Sequence, residues 1–335
     1  MLDCTDRHFR YFARLLSRHA WLYTEMVPVT ALLHGEPERW LVHDPAEHPV
    51  ALQLGGSDPS LLARAAALGE AAGFAEINLN VGCPSDRVQA GRFGACLMAE
   101  PGLVAECVAA MRARVRIPVT VKTRIGIDHR DRYEDLHRFV STVAAAGCEV
   151  FVVHARKAWL KGLSPRQNRR VPPLRHEFVH RLKADFPALE IVLNGGLRDL
   201  SDAHAHLEHV DGVMLGRAVA ENPFLLAGVD PRFYGTPAPL TSRHAALRAY
   251  LPYAERQVAQ GVPPRRVLRP LVGLFQGCPG ARAWRRWVTQ APELGALWAQ
   301  VPAERPLLEG VSRTPAEGTA NPARSACIGP GAVGN

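Results

Sequence analysis

The chain has 335 residues, 47% of them hydrophobic and 21% charged, and a formal net charge of +8. That balance describes a globular protein with room for a large core, and excludes collagen-like, low-complexity and disulfide-scaffold classes. No apolar run approaches the roughly 18 residues that a membrane helix needs, and the seven cysteines contain no CxxC pair or other metal-ligand spacing.

The first residues are charged and carry no secretory signal, so reduced thiols in a cytoplasm are expected. In chain order, a helix is expected over residues 6–18 and a strand over 21–27. Strands at 49–54, 76–81, 118–123, 150–154, 190–193 and 212–215 follow, each a short apolar, β-branched run. Helical patterns fill the gaps at 60–72, 103–115, 133–146 (with Gly147 as its C-cap), 174–186 and 201–207. Strand and helix alternate as consecutive βα units, which predicts a parallel sheet.

Nearly every predicted strand ends in a polar residue or glycine: Gln53, Asn80, Lys122, His154, Asn194 and Gly216. Chemistry gathered at the C-terminal ends of successive parallel strands predicts an α/β fold of the TIM (β/α)₈ barrel type. A doubly wound sheet would concentrate its signals at one switch point with a GxGxxG turn, and none is present. Seven units are visible, and Met1-Leu2-Asp3 falls where a first strand should end, so that strand is expected to be missing from this sequence. From residue 237 the alternation stops. Arg- and Trp-rich helices are expected at 243–260, 264–276 and 280–290. The expected division is a catalytic barrel over 1–236, a small helical domain over 237–310 and a disordered tail over 311–335.

Within that frame the stretch Asn78-Leu79-Asn80-Val81-Gly82-Cys83-Pro84-Ser85 carries the sharpest signal. A core cysteine has no need of a glycine and a proline beside it. A thiol that must meet a ligand at a strand mouth does, with Gly82 expected to permit unusual backbone angles and Pro84 to fix the exit of the turn. Further on, Asn194-Gly195-Gly196 and Gly216-Arg217 follow the last two strands, where barrels bind phosphate through glycine N–H groups. Arg217 would add a charge-assisted bond. With Lys122 and His154 at neighbouring strand ends, a phosphorylated cofactor in the barrel mouth is expected.

Positive charge is segregated. Residues 156–183 hold nine Lys or Arg against Glu177 alone, and residues 241–290 hold nine Arg against Glu255 alone, while the rest of the chain is net acidic. Solvated helical faces usually mix signs. This pattern is the footprint of a polyanion such as nucleic acid.

Met1-Leu2-Asp3-Cys4-Thr5-Asp6-Arg7, the Asn78–Ser85 stretch, Val121-Lys122-Thr123-Arg124, Val153-His154-Ala155-Arg156-Lys157 and Asn194-Gly195-Gly196 together resemble the tRNA-dihydrouridine synthases. Ser164-Pro165-Arg166-Gln167-Asn168-Arg169, Phe275-Gln276-Gly277-Cys278-Pro279-Gly280-Ala281-Arg282 and Trp284-Arg285-Arg286 are similar to the DusA subfamily. The likeness spans about residues 1–300. It implies an FMN-dependent oxidoreductase that uses NADPH to reduce uridines 20 and 20a of the tRNA D-loop to 5,6-dihydrouridine. Carried over by motif, Met1, Leu2, Asp3, Gln53, Lys122 and His154 would border the flavin. Asn194, Gly195, Gly196, Gly216 and Arg217 would hold its phosphate. Cys83 would be the proton donor, and Asn80, Arg166, Arg169, Arg282 and Arg285 would contact tRNA. The chemistry agrees: a thiol with an ordinary pKa of about 8.5 is mostly protonated at neutral pH and can donate. Two other readings stay open. One is an FMN barrel acting on a small pyrimidine-like substrate. The other is a tRNA-binding protein impaired in catalysis by the missing strand.

Overall fold

Eight short strands form one sheet in which every pairing is parallel: β1 (Leu22–Tyr23), β2 (Val27–Pro28), β3 (Val50–Gly55), β4 (Glu76–Val81), β5 (Val119–Arg124), β6 (Val150–His154), β7 (Glu190–Asn194) and β8 (Gly212–Met214). This is a computed structural model, and it describes residues 4–290 and 294–303. Both β1 and β2 lie against β3, so they are two pieces of one stave. The stretch 21–27 reads as a continuous strand in the sequence but is interrupted at Thr24. There the Gln53 amide donates to the Thr24 hydroxyl at 2.9 Å, so a side chain replaces a rung of the ladder.

From β3 the order runs β4, β5, β6, β7, β8 without a crossover inside the sheet. Helices Pro59–Ala71, Pro101–Arg112, Tyr133–Ala145, His176–Asp185 and Leu200–His206 occupy the connections, as βα units require. Their starts are chemically marked. Asp58 accepts from the Leu61 amide at 2.9 Å, and Asp199 from the Ser201 and Asp202 amides at 2.9 and 2.8 Å. Gly147 closes the Tyr133–Ala145 helix at a φ of 95°, the left-handed cap that the sequence called for.

The sheet curls. Trp21, Tyr23 and Ala51 from its first edge meet Val152, Val192 and Met214 from its last three strands in one buried interior cluster. Residues from opposite edges can share a cluster only if the sheet wraps around them, so the architecture is that of the α/β barrel. Among the described residues no strand joins β8 to β1. That gap falls where the sequence reading leaves room for one more stave. Met1, Leu2 and Asp3, expected beside it, and the 311–335 tail lie outside the described residues.

Beyond β8 the chain is helical, with Arg243–Ala259 and Ala281–Thr289 as its longer elements. The predicted helix at 264–276 is instead a short turn, Pro264–Val267, followed by a 3₁₀ segment, Arg269–Gly273. Pro270 has no N–H to continue an α-helix through that point. These helices dock on the N-terminal helix Arg7–Leu16: Tyr11 stacks on Tyr253 at 3.9 Å, and His8 Nδ1 lies 2.8 Å from the Tyr253 hydroxyl. The apolar core is continuous across this contact.

Candidate active site at the carboxyl ends of the strands

The C-terminal end of β4 delivers Asn80, Gly82 and Cys83 to the mouth of the barrel. Asn80 Oδ1 accepts from the Gly82 and Cys83 amides at 3.1 and 3.0 Å, and its Nδ2 donates to Gln53 Oε1 at 2.9 Å. Asn80 thus ties the turn rather than projecting from it. The Cys83 carbonyl accepts from the Ala95 amide at 2.8 Å. Gly94 lets the backbone come that close: its φ is 79°, and a Cβ there would sit 2.5 Å from the Cys83 oxygen. The thiol itself is half-buried, 3.5 Å from the Ser85 hydroxyl.

One expectation fails here. Gly82 is not among the residues in the left-handed region, and a Cβ on it would make only ordinary contact, 3.5 Å from the Lys122 carbonyl. The conformational freedom expected of Gly82 is used at Gly94 instead. Gly82 contributes its amide to Asn80 and its carbonyl to Arg124.

Arg124, at the end of β5, is almost wholly buried. Its Nε donates to Gly82 O at 2.8 Å, and its Nη1 to the carbonyls of Lys157 and Asn168, both at 3.1 Å. Asn168 is buried too, and its amide clasps the 159–168 loop through the Trp159 N–H and the carbonyls of Trp159 and Leu163. Arg166 in this loop and Arg169 just after it are both exposed.

On the neighbouring strand Lys122 lies opposite Asn80; its Nζ donates to Asn194 Oδ1 at 2.9 Å, and Asn194 Nδ2 donates to Met214 O at 2.7 Å. His154 Nδ1 is buried without a hydrogen-bond partner. Gly195 and Gly196 hold φ of 103° and 84°, and a Cβ on Gly195 would sit 3.0 Å from His154 Nε2. The Gly195 carbonyl lies 2.8 Å from His176 Nε2. Gly216 starts the short helix Arg217–Glu221, and Arg217 Nη2 donates to the Arg169 carbonyl at 3.2 Å. Met1 to Asp3 apart, the strand-end residues expected from the sequence therefore converge on one mouth. Arg282 and Arg285 lie apart, exposed on the Ala281–Thr289 helix, whose other face buries Trp284 and Val288.

The electrostatics of this wall are one-sided. Burial lowers the Lys122 ammonium to about 7, and Arg124 pushes the same way. Burial and then Arg124, Lys122, Arg156 and Arg217 hold His154 well below its usual value, so its ring stays neutral. Arg156 is lowered by burial and by Arg217. Among the described residues no carboxylate forms an ion pair with Lys122, Arg124, Arg156, Arg169 or Arg217. Cations gathered without counter-charge suit a bound anion. The Cys83 turn stands beside this wall, since Asn80 pairs with Lys122 across β4 and β5 and Arg124 Nε donates to the Gly82 carbonyl.

Sequence reasoning overlooked Arg124, Arg156 and Gly94, and the polar residues Glu76, Asn78 and Thr120 below the mouth. A signal existed for two of them: Glu76, Asn78 and Asn80 alternate with apolar residues along β4, which puts polar groups on the inward face of a buried strand.

A family model described as dihydrouridine synthase (Dus) matches residues 1–303. Over 290 residues the chain is 58% identical to the tRNA-dihydrouridine(20/20a) synthase of Shewanella oneidensis, spanning 87% of this chain and 86% of that one. Proteins of the same name from Vibrio cholerae and Escherichia coli (strain K12) are 56% and 57% identical over 291 residues. Those matches span 87% of this chain and 89% and 84% of theirs. With a family match over most of its length and relatives this similar, the chain belongs to the dihydrouridine synthase family.

Proposed function

We propose that this protein reduces uridine to 5,6-dihydrouridine in the D-loop of tRNA, at positions 20 and 20a, with FMN as cofactor, NADPH as reductant and the cytoplasm as its compartment. The carrying observation is a group of cations, Lys122, Arg156 and Arg217, without carboxylate partners among the described residues and gathered around a neutral, buried His154, at the same mouth as a half-buried thiol on a pinned turn. The residues fit a phosphorylated flavin. Gly195 and Gly196 present backbone at a close approach, Arg217 and the Gly216 turn suit a phosphate, and the buried, unpartnered His154 Nδ1 awaits an acceptor or donor. FMN, when bound, supplies hydride equivalents to C6 of the base.

The protein's own residues do the rest. Cys83 gives its proton to C5, and the Asn80 clamp holds its turn in place for that transfer. Lys122 would place positive charge near the flavin, Gln53 and His154 would contact its ring or ribityl chain, and Asn194 would help to hold its phosphate. Arg166 and Arg169 beside the mouth, and Arg282 and Arg285 on the helical segment, take the RNA backbone. Turning a stacked base out costs a few kcal/mol, which such phosphate contacts offset. Residues 1–236 then serve as the catalytic barrel and 237–310 as the tRNA-binding region. The arginine surface weighs against a free pyrimidine as substrate, since a small molecule has no use for it.

The test is a purified sample. Flavin absorbance, together with NADPH oxidation that requires tRNA lacking dihydrouridine, is the expected result. Oxidation that proceeds equally well with free uracil or uridine would overturn the tRNA reading. A colourless protein that FMN does not convert to a flavoprotein would overturn the flavin reading.

A further inference from the structure

Glu76, Asn78 and Asn80 sit two residues apart on β4, so their side chains share its inward face. An unbroken file of hydrogen bonds joins them to their neighbours across the barrel. The Cys83 amide donates to Asn80 Oδ1 at 3.0 Å, Asn80 Nδ2 to Gln53 Oε1 at 2.9 Å, and Gln53 Nε2 to Asn78 Oδ1 at 2.9 Å. Asn78 Nδ2 then donates to Thr120 Oγ1 at 2.7 Å, and Thr120 Oγ1 to Glu76 Oε1 at 2.5 Å. The Tyr23 hydroxyl donates to the same Glu76 oxygen at 3.0 Å. Every donor in the file points away from the thiol and toward Glu76.

That common sense matters because an amide side chain has a donor end and an acceptor end. Flipping any one of the three would set two donors or two acceptors against each other in a buried site. The hydroxyl of Thr120 accepts from Asn78 with its own proton pointing elsewhere, and Glu76 Oε1 accepts the hydrogen bond that this proton donates. We propose that Glu76 is a positioning residue for the reductase reaction, the terminal acceptor that orients the Asn78–Gln53–Asn80 file and through it the turn bearing Cys83. The inference rests on the proposed role of Cys83 as proton donor.

Burial holds the Glu76 carboxyl at about 8, outweighing the hydroxyls of Thr120 and Tyr23 that favour its ionised form, and Glu190 adds to the rise. Near neutrality it is a neutral acid whose carbonyl oxygen accepts, so glutamine reproduces it and an aliphatic residue does not.

The experiment compares Glu76→Leu, Glu76→Gln and Thr120→Val in the full-length, FMN-loaded protein. Two quantities are read: steady-state dihydrouridine formation, and the rate at which iodoacetamide alkylates Cys83, followed by peptide mass spectrometry. Glu76→Leu and Thr120→Val are expected to lower kcat about tenfold while leaving KM for tRNA unchanged. Both should also shift the Cys83 alkylation rate about threefold. Glu76→Gln should match the parent in both. Wild-type kcat and alkylation in Thr120→Val, or a Glu76→Gln enzyme as damaged as Glu76→Leu, would overturn the proposal. Thr120→Val nearly keeps the side chain's shape and leaves Glu76 in place, so it decides the matter if Glu76→Leu does not fold. If the parent forms no dihydrouridine, the functional reading fails by itself, and the alkylation rates still judge the file.

Discussion

Two neighbouring parts of the barrel mouth are built on opposite principles. Around Cys83 nearly every polar atom has a partner: Asn80 holds two amides, Arg124 three carbonyls, and the Cys83 carbonyl an amide. From the next strand onward, Lys122, Arg156 and Arg217 stand without carboxylates among the described residues, and His154 keeps a buried nitrogen unpartnered. A satisfied network is rigid and expensive to disturb, whereas an unsatisfied one is stabilised by whatever anion completes it. The thiol side is therefore preorganised before any ligand arrives, and the cationic side gains its stability from the ligand.

The strongest way to break this contrast is to remove the thiol alone. Cys83→Ala should lower dihydrouridine formation about 10²–10⁴-fold while leaving flavin absorbance intact, measured by nucleoside analysis of the tRNA. Unchanged product would take Cys83 out of its role.

In the cationic part, Lys122→Met should weaken FMN binding about 10–100-fold in fluorescence titration. The sign with pH follows from the lowered Lys122 pKa of about 7. A bound anion favours the charged ammonium and raises that value, so the lysine's contribution to affinity should be full below pH 7 and fall as pH rises through 7 toward 9, with proton uptake on binding in that window. In Lys122→Met that slope should flatten, and a slope equal to the parent's would show that another group carries it.

Gly195→Ala sharpens the comparison in a smaller way. It forces a left-handed backbone and sets a methyl 3.0 Å from the His154 ring, so a loss of about 1–3 kcal/mol in thermal unfolding of the protein is expected. Gly82→Ala, on the satisfied side, has no such strain and should cost less. The smallest effect belongs to the remote arginines. Replacing Arg282 and Arg285 by alanine should reduce the slope of log affinity for tRNA against log salt by about one each, with flavin unaffected. An unchanged slope would place them off the RNA.

Much of this was written in the chain. Glu76–Val81 and Val150–His154 fall where their β-branched runs put them, because a strand buried on both faces leaves little choice of residue. Strand-end polarity located the mouth for the same reason: Gln53, Lys122, His154 and Asn194 have no apolar cause to be there. Thr24 broke a strand unforeseen, since a hydroxyl substituting for a main-chain rung leaves no mark in hydropathy. Arg124 lay inside a quoted motif and went unassigned, because its three carbonyl partners are far apart in sequence. Gly94 was invisible for a related reason, as its need for a positive φ comes from a carbonyl 11 residues away.

Arg124 has a mechanical corollary. One buried guanidinium grips the Gly82 carbonyl with one nitrogen and the Lys157 and Asn168 carbonyls with another, so two loops from different βα units share a rivet. Neither can slide by even an ångström without stretching bonds on the other. A lysine in this place, with a single point of attachment, would let the two segments drift apart.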